Sequence, residues 1–283
     1  MARGLNAVQG SRGKRSNRLT RGNLNMATIS YSREGNVGVI EMNGPPANSY
    51  GISFMRELDA AIDAAEGDEA CRVVVVRSAV PGFFCGGADI KQFRSNTPAQ
   101  NIEMITVAHE TLGRLAGSRR IYIAEINGHA LGGGLEIALA CDLRFAGAAE
   151  YWLGLPEVTL GLLPGNGGTQ RLSALVGASK AMELMILGTR LRPEQALQLG
   201  VVNRQFPAPD LRKETMAFAD TLANSATLAI AMIKRSVHDG VNAALAAGLA
   251  VERRNIATLF HSDDAKEGFS AFAERRKPNF SGR

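Results

Sequence analysis

Two glutamates set in apolar, glycine-rich surroundings are the residues of this chain best suited to chemistry. Glu136 follows the triple glycine Gly132–Gly134 in ALGGGLEIALA, and Glu157 lies in LGLPEVTLGLLPGNGG. A carboxylate in such a run is costly unless it is partnered or put to use. Two carboxyl groups beside a glycine turn into a helix can together supply an acid, a base and donors for a developing oxyanion. The run Ala124–Leu172 holds both, and the rest of the chain is organised around it.

Gly132–Gly134 directly precedes an apolar helical stretch, 134–140. N–H groups at a helix start are unpaired, and the dipole there favours negative charge. Glycines let a ligand approach that backbone closely. A second set of backbone donors is offered by Phe83-Phe84-Cys85-Gly86-Gly87-Ala88-Asp89, which follows the β-branched run Val73–Val76. Two N–H groups from separate loops, aimed at one carbonyl oxygen, form an oxyanion hole worth ~3–4 kcal/mol per donor. The triple glycine alone equally suits tight helix–strand packing, and Glu136 alone equally suits a capping or ion-pair role. Glu157 and the downstream Pro164-Gly165-Asn166-Gly167-Gly168 strengthen the case for a site.

The elements that must position these groups read as a mixed α/β body. Thr28–Ser32 and Val37–Met42 are β-prone runs joined by a hairpin turn at residues 33–36. Ser53 is a candidate N-cap for a helix with apolar positions at Phe54, Leu58, Ala61, Ile62 and Ala65. Val73–Val76 suits a strand buried on both faces. A second long helix shows Ile102, Ile105, His109, Leu112 and Leu115 on one side and ends near Gly117. Strands are expected at Ile121–Ile126 and Asp142–Ala146. Pro193 sits at the first turn of a helix ending at Gly200, followed by an extended run over 201–206. Helical pattern then fills 210–224, 226–238, 241–260 and 263–276. The order argues α/β with largely parallel inner strands and a helical C-terminal region.

Composition narrows the function classes. The chain has 283 residues, 45% hydrophobic and 21% charged, enough for a sizeable core. No apolar stretch approaches the ~18–20 residues needed to cross a bilayer, so no membrane partner is expected. The net charge of +5 is misleading, because residues 1–25 carry six Arg and Lys and no acid. The remaining chain is close to neutral, which gives no argument for nucleic-acid binding. That tail is expected to be disordered. It reads as a mis-start upstream of Met26, an expression remnant, a transit sequence or an RNA-contacting arm, with a non-functional extension favoured. Cys71, Cys85 and Cys141 are scattered, which suits small buried residues in a reducing, cytoplasmic compartment. Four scattered histidines and no Cys/His cluster suggest no metal site.

Four segments together are recognisable: FFCGGADI (83–90), INGHALGGGLEIALACDLRFA (126–146), LPEVTLGLLPGNGGTQRL (155–172) and FAERRKPNF (272–280). Over essentially all of residues 28–283 the chain resembles the crotonase superfamily, the enoyl-CoA hydratase/isomerase group. The resemblance implies a spiral of ββα units over 26–205 and a helical region over 206–283 that builds trimers, usually a dimer of trimers. It implies acyl-CoA thioester substrates, with coenzyme A as part of the substrate and no separate cofactor. Carried over residue by residue, the oxyanion donors are Ala88 and Gly133, and the acid/base pair is Glu136 and Glu157. Retention of both glutamates matches members that hydrate a double bond, whereas many isomerases of the group keep only the second. Adding water needs a base for the water and an acid for C2, but moving a double bond needs one shuttling base.

Around that centre the resemblance places Gly86, Gly87, Asp89, Gly132 and Gly165 in the substrate-binding set. Lys91, Arg275 and Lys277 are candidates for the CoA phosphates, the last two reaching a neighbouring subunit, although solvated surface charge suits each equally. Two departures stand out. Asn166 replaces the alanine of many relatives, and Pro45-Pro46-Ala47-Asn48 replaces a lysine-containing version and looks more like isomerase members. His129, Tyr151, Trp152 and Asp142 read as structural. The expected activity is enoyl-CoA hydration, with double-bond isomerisation and tail-mediated RNA binding as the alternatives.

Overall fold

In a computed structural model, the described residues are Met1, 28–241, 258–259 and 262–283. The tail and nearly all of the helix expected over 241–260 lie outside them. The chain opens with an antiparallel hairpin, β1 (Ile29–Glu34) and β2 (Val37–Met42). β2 has the bounds read from the sequence, whereas β1 starts one residue later and runs two residues further than expected. The turn contracts to Gly35-Asn36, because Gly35 takes φ +60°. Helix α1 (Ile52–Gly67) starts at Ile52, so Ser53 lies inside its first turn and does not cap it. The α1 side chain Glu57 instead accepts from Thr28 N, Thr28 Oγ1 and Ile29 N, tying the helix to β1.

Strands then alternate between two sheets. β3 (Val73–Ser78), β5 (Ile121–Ile126), β7 (Leu143–Ala148) and β10 (Arg204–Pro207) extend the hairpin as a parallel array in the order β1-β2-β3-β5-β7-β10. The short strands β4 (Phe83–Cys85), β6 (His129–Leu131), β8 (Leu153–Gly154) and β9 (Arg190–Leu191) form the second sheet. After β4 come α2 (Ile90–Ser95) and α3 (Pro98–Gly117), and after β6 comes α4 (Gly133–Ala140). A 3₁₀ turn at Glu157–Leu160 follows β8, and then α5 (Gly168–Val176) and α6 (Ala178–Ile186). One strand in each sheet followed by a helix, three times over, is a ββα spiral.

The valine run of β3 shows how the layers divide. Val74 and Val76 join the core under α1, α3 and α4, whereas Val73 and Val75 face a second core completed by Leu211, Ala219 and Ala223. Those three belong to α8 (Leu211–Ala223), reached through α7 (Pro193–Gln198), so α8 packs on the sheet of its own chain. Side chains that alternate across a strand buried on both faces require this unbroken apolar run. Helix α9 (Thr227–Val241) is fastened by Lys234, whose Nζ donates to Asp142 Oδ2 at 2.8 Å and to the Arg120 carbonyl at 2.9 Å. The last described helix is α10 (Asp263–Ala273). Among the described residues no single helix is long and apolar enough to cross a membrane.

Helix α3 departs from the apolar stripe read in the sequence. Its buried face is Met104, Ala108, Thr111, Leu112 and Leu115, while Ile102 is 68% exposed and borders a cavity with Ile105. The stripe serves two surfaces, core at its C-terminal half and cavity wall at its N-terminal half.

The departure at Asn48 has a structural role. Asn48 is fully buried with φ +51°, its Oδ1 accepting from Gly44 N at 2.7 Å. Its Nδ2 donates to Ser78 Oγ and to the Phe84 carbonyl at 2.8 and 2.9 Å. Residues 47–50 thereby lie against the glycine loop, with Gly86 N donating to Ala47 O, Tyr50 N to Gly87 O, and Asp89 N to Tyr50 O. Replacing Asn48 with Ala removes two buried hydrogen bonds and one partly buried, and leaves a left-handed residue without their compensation. Asn48→Ala is therefore expected to lose about 2–4 kcal/mol in denaturant unfolding; a loss below about 0.5 kcal/mol would refute this role for the Asn48 amide.

Candidate active site

Each glycine of the triplet has a separate reason to be glycine. Gly132 takes φ +54°, and a Cβ there would come within 3.2 Å of Glu157 Oε1. At Gly133 a Cβ would collide with the Tyr50 hydroxyl, and at Gly134 with the Cys85 carbonyl. Tight packing and site formation, which the sequence left as alternatives, are the same fact here. The close fit of α4 brings its first N–H group beside the Gly86–Ala88 loop. A Cβ at Gly87 would lie 3.4 Å from Gly133 N and 2.7 Å from the Leu131 carbonyl, and its φ is +93°. Among the described residues the N–H groups of Ala88 and Gly133 have no hydrogen-bond acceptor. Both residues line one cavity of about 750 Å³, shared with Glu136, Glu157 and Gly165.

Glu136 is 1% exposed on the first turn of α4. Its Oε1 accepts from Asn166 N at 2.7 Å and Gly168 N at 2.8 Å, where Gly168 begins α5. Burial raises the pKa of its carboxyl, and those two N–H groups pull it back toward the ionised form. Glu157 opens the 3₁₀ turn, which closes at Gly161 in the left-handed region. Its Oε2 is buried with no hydrogen-bond partner among the described residues. Burial, reinforced by the neighbouring Glu136 charge, pushes the Glu157 carboxyl up to about 7. Two carboxyl groups thus face one cavity, one held by backbone N–H groups and the other with an oxygen that has no donor among the described residues.

The structure adds two polar groups, one marked in the sequence only as a departure and the other not marked at all. Tyr50 is 2% exposed and lines the cavity floor, its phenol raised well above the ordinary range mainly by burial. Asn166 is 1% exposed and its Nδ2 donates to Tyr50 Oη at 2.5 Å. Asn166 stands out in the sequence by its departure from alanine, but Tyr50 lies 116 residues away and has no local signature. Arg94 on α2 and Arg190 on β9 also border the cavity and are the cations nearest to it in the described lining.

Four residues of the expected binding set stand elsewhere. Asp89 caps α2, its carboxylate accepting from Lys91 N at 2.8 Å and Gln92 N at 3.4 Å, so it shapes the loop and does not face the cavity. Lys91 is exposed on α2 and outside the lining, whereas Arg94, one turn further on, is inside it. Arg275 and Lys277 are exposed after α10 and line no part of this cavity. Gly86, Gly87, Gly132 and Gly165 all border it. His129 accepts from Trp152 N through Nδ1 at 3.1 Å and packs on Phe83, Tyr151 donates to the Ile126 carbonyl, and Trp152 lies under Arg192. The three cysteines are buried and free.

Comparison with known proteins agrees with this geometry. The profile described as enoyl-CoA hydratase/isomerase matches residues 32–283. Enoyl-CoA hydratase domain-containing protein 2, mitochondrial, of Mus musculus is 38% identical over 88% of this chain and 86% of its own length. The short-chain-enoyl-CoA hydratase of Clostridium acetobutylicum is 31% identical over 90% of this chain and 97% of its own. The solved enoyl-CoA hydratase of Bacillus anthracis superposes with a TM-score of 0.87 at 32% identity, covering 90% of this chain and all of that one. With its ββα spiral, paired carboxyls and matching sequence over nearly its whole length, the chain belongs to the enoyl-CoA hydratase/isomerase family.

Proposed function

We propose that the protein is an enoyl-CoA hydratase, adding water across the 2,3 double bond of a 2-enoyl-CoA thioester to give a 3-hydroxyacyl-CoA. The observation that carries this reading is the pair Glu136 and Glu157 facing one cavity, the first held by two backbone N–H groups and the second with an unpartnered oxygen and its carboxyl pushed up to about 7. The Ala88 and Gly133 N–H groups take the thioester oxygen and polarise the conjugated system. Carboxylate Glu136 removes a proton from water as its oxygen bonds to C3. The electron pair of the double bond moves toward the thioester oxygen, and protonated Glu157 delivers its proton to C2. The product carries the hydroxyl on C3 and the hydrogen on C2, and a proton passing from Glu136 back to Glu157 through solvent restores the starting state. No cofactor beyond the coenzyme A of the substrate enters this scheme.

We further infer a homotrimer or a dimer of trimers, acting in the cytoplasm in acyl-CoA degradation. The assembly is supported by Met182, Ile186 and Leu187, which are 59–67% exposed along and after α6. The compartment is supported by the three free cysteines.

Hydration of crotonyl-CoA should follow a bell-shaped pH profile in kcat/KM. Activity rises as Glu136 ionises and falls as Glu157 loses its proton through about pH 7. Glu136→Gln and Glu157→Gln should each lower kcat by about 10²–10⁴-fold; if both retain hydration, the assignment is wrong.

Glu157 also carries a stability signature. Its folded-state value of about 7 lies above the ordinary 4.5. The native state holds the proton more tightly, so ionisation costs stability as pH rises through that window. Glu157→Gln avoids the cost, and thermal or denaturant unfolding at pH 8 should show a gain on the order of 1–3 kcal/mol. At pH 4 the gain should vanish. A variant less stable than its parent at pH 8 contradicts the burial account.

A further inference from the structure

Tyr50 and Asn166 stand in the cavity without a role in the scheme above. The Tyr50 oxygen accepts from Asn166 Nδ2, so its own proton must be directed elsewhere, and no acceptor for it is found among the described residues. Asn166 Oδ1 is buried and has no partner among them either. The pair therefore offers one donor and one acceptor, side by side, both on residues at least 98% buried. The Asn166 amide also donates toward Glu136, which fixes its nitrogen as the end near Tyr50 and Glu136 and leaves its oxygen as the open end. Buried polar groups are seldom left unpaired, so an occupant that satisfies both is expected.

The surroundings define that occupant. The Tyr50 hydroxyl stands against Gly133, and a Cβ on Gly165 would touch Ile105 of α3 at 3.4 Å. Ile105, Ile102, Leu160, Leu162 and Leu163 make the adjoining wall apolar. The polar pair thus sits where the carboxyl centre gives way to the wall suited to an acyl chain. A carboxylate is disfavoured there by Glu136 and Glu157, and the nearby Arg171 is already committed, donating to the Asn166 carbonyl at 2.8 Å. A carbonyl would satisfy the donor alone. A hydroxyl matches both.

We propose that Tyr50 and Asn166 form a specificity subsite for a hydroxyl group carried on the acyl chain beyond the reacting double bond. The inference rests on the acyl-CoA reading of the site. A pocket that hydrogen-bonds a substrate hydroxyl discriminates strongly against the analogue lacking it, because the pocket's own groups are then left unpaired.

The test uses saturated acyl-CoAs, which do not react, with a hydroxyl at C4, C5 or C6 and deoxy counterparts of equal length. Calorimetric dissociation constants should favour one hydroxylated chain by about 10- to 100-fold. In Tyr50→Phe and in Asn166→Ala that ratio should fall to within about threefold of unity, whatever the absolute affinity does. Parallel kcat/KM measurements on the corresponding 2-enoyl-CoAs should show the same preference. If the unaltered protein prefers no hydroxylated chain, or if both variants keep the preference, the subsite is refuted. Variants that weaken both chains equally would assign the pair to support of Glu136, and this too overturns the proposal. Failure of the hydratase reading looks different: enoyl chains would not turn over, while the ratio for saturated chains could still be measured.

Discussion

A carboxylate removed almost wholly from water keeps its charge only if N–H groups replace the lost solvent, and Glu136 is held by two. That requirement fixes much of the molecule. The donors come from Asn166 and Gly168, so the 164–168 loop must lie flat against α4. A Cβ on Gly168 would come within 2.9 Å of both Glu136 Oε1 and the Leu155 side chain. The start of α5 adds the favourable end of its dipole to the same oxygen. On the other side α4 presses Gly133 on Tyr50 and Gly134 on Cys85, which sets the distance between the two donor loops. One buried charge therefore orders three glycine segments around a single cavity.

Glu157 shows the opposite solution to the same problem. It has burial and the field of Glu136, but no N–H group on Oε2 among the described residues. The neutral form is then the less costly one up to about pH 7. Chemistry that needs a base and an acid together gains both from one residue type, distinguished by two backbone donors. The instability of the ionised form is a cost that the fold carries at its working site.

The glutamates were legible because a charged residue in an apolar, glycine-rich run is conspicuous, and the strand at Val73–Val76 because β-branched runs leave few choices. Ala88 and Gly133 were legible through the pattern of the segments that carry them. What sequence could not supply is partnership across the fold. Asp89 reads as a binding residue in its motif, but its carboxylate is consumed by the first turn of α2. Ile102 and Ile105 share the helical spacing of Leu112 and Leu115, yet face a cavity, since periodicity reports a face and not what covers it. Tyr50 had no signal at all. Its meaning depends on Asn166, brought beside it by the register of Tyr50 with Ala88 and by the hold of Glu136 on the 166–168 backbone.

Helix α4 has eight residues, all buried, and both ends are engaged. Its first residue offers an N–H group to the cavity. Past its last, Asp142 receives Lys234 of α9 and the Tyr122 N–H group in a nearly closed environment. An eight-residue helix is a rod of about 12 Å that bends little. The cavity and α9 therefore meet opposite ends of one short helix, Gly133 at its first residue and Asp142 just past its last.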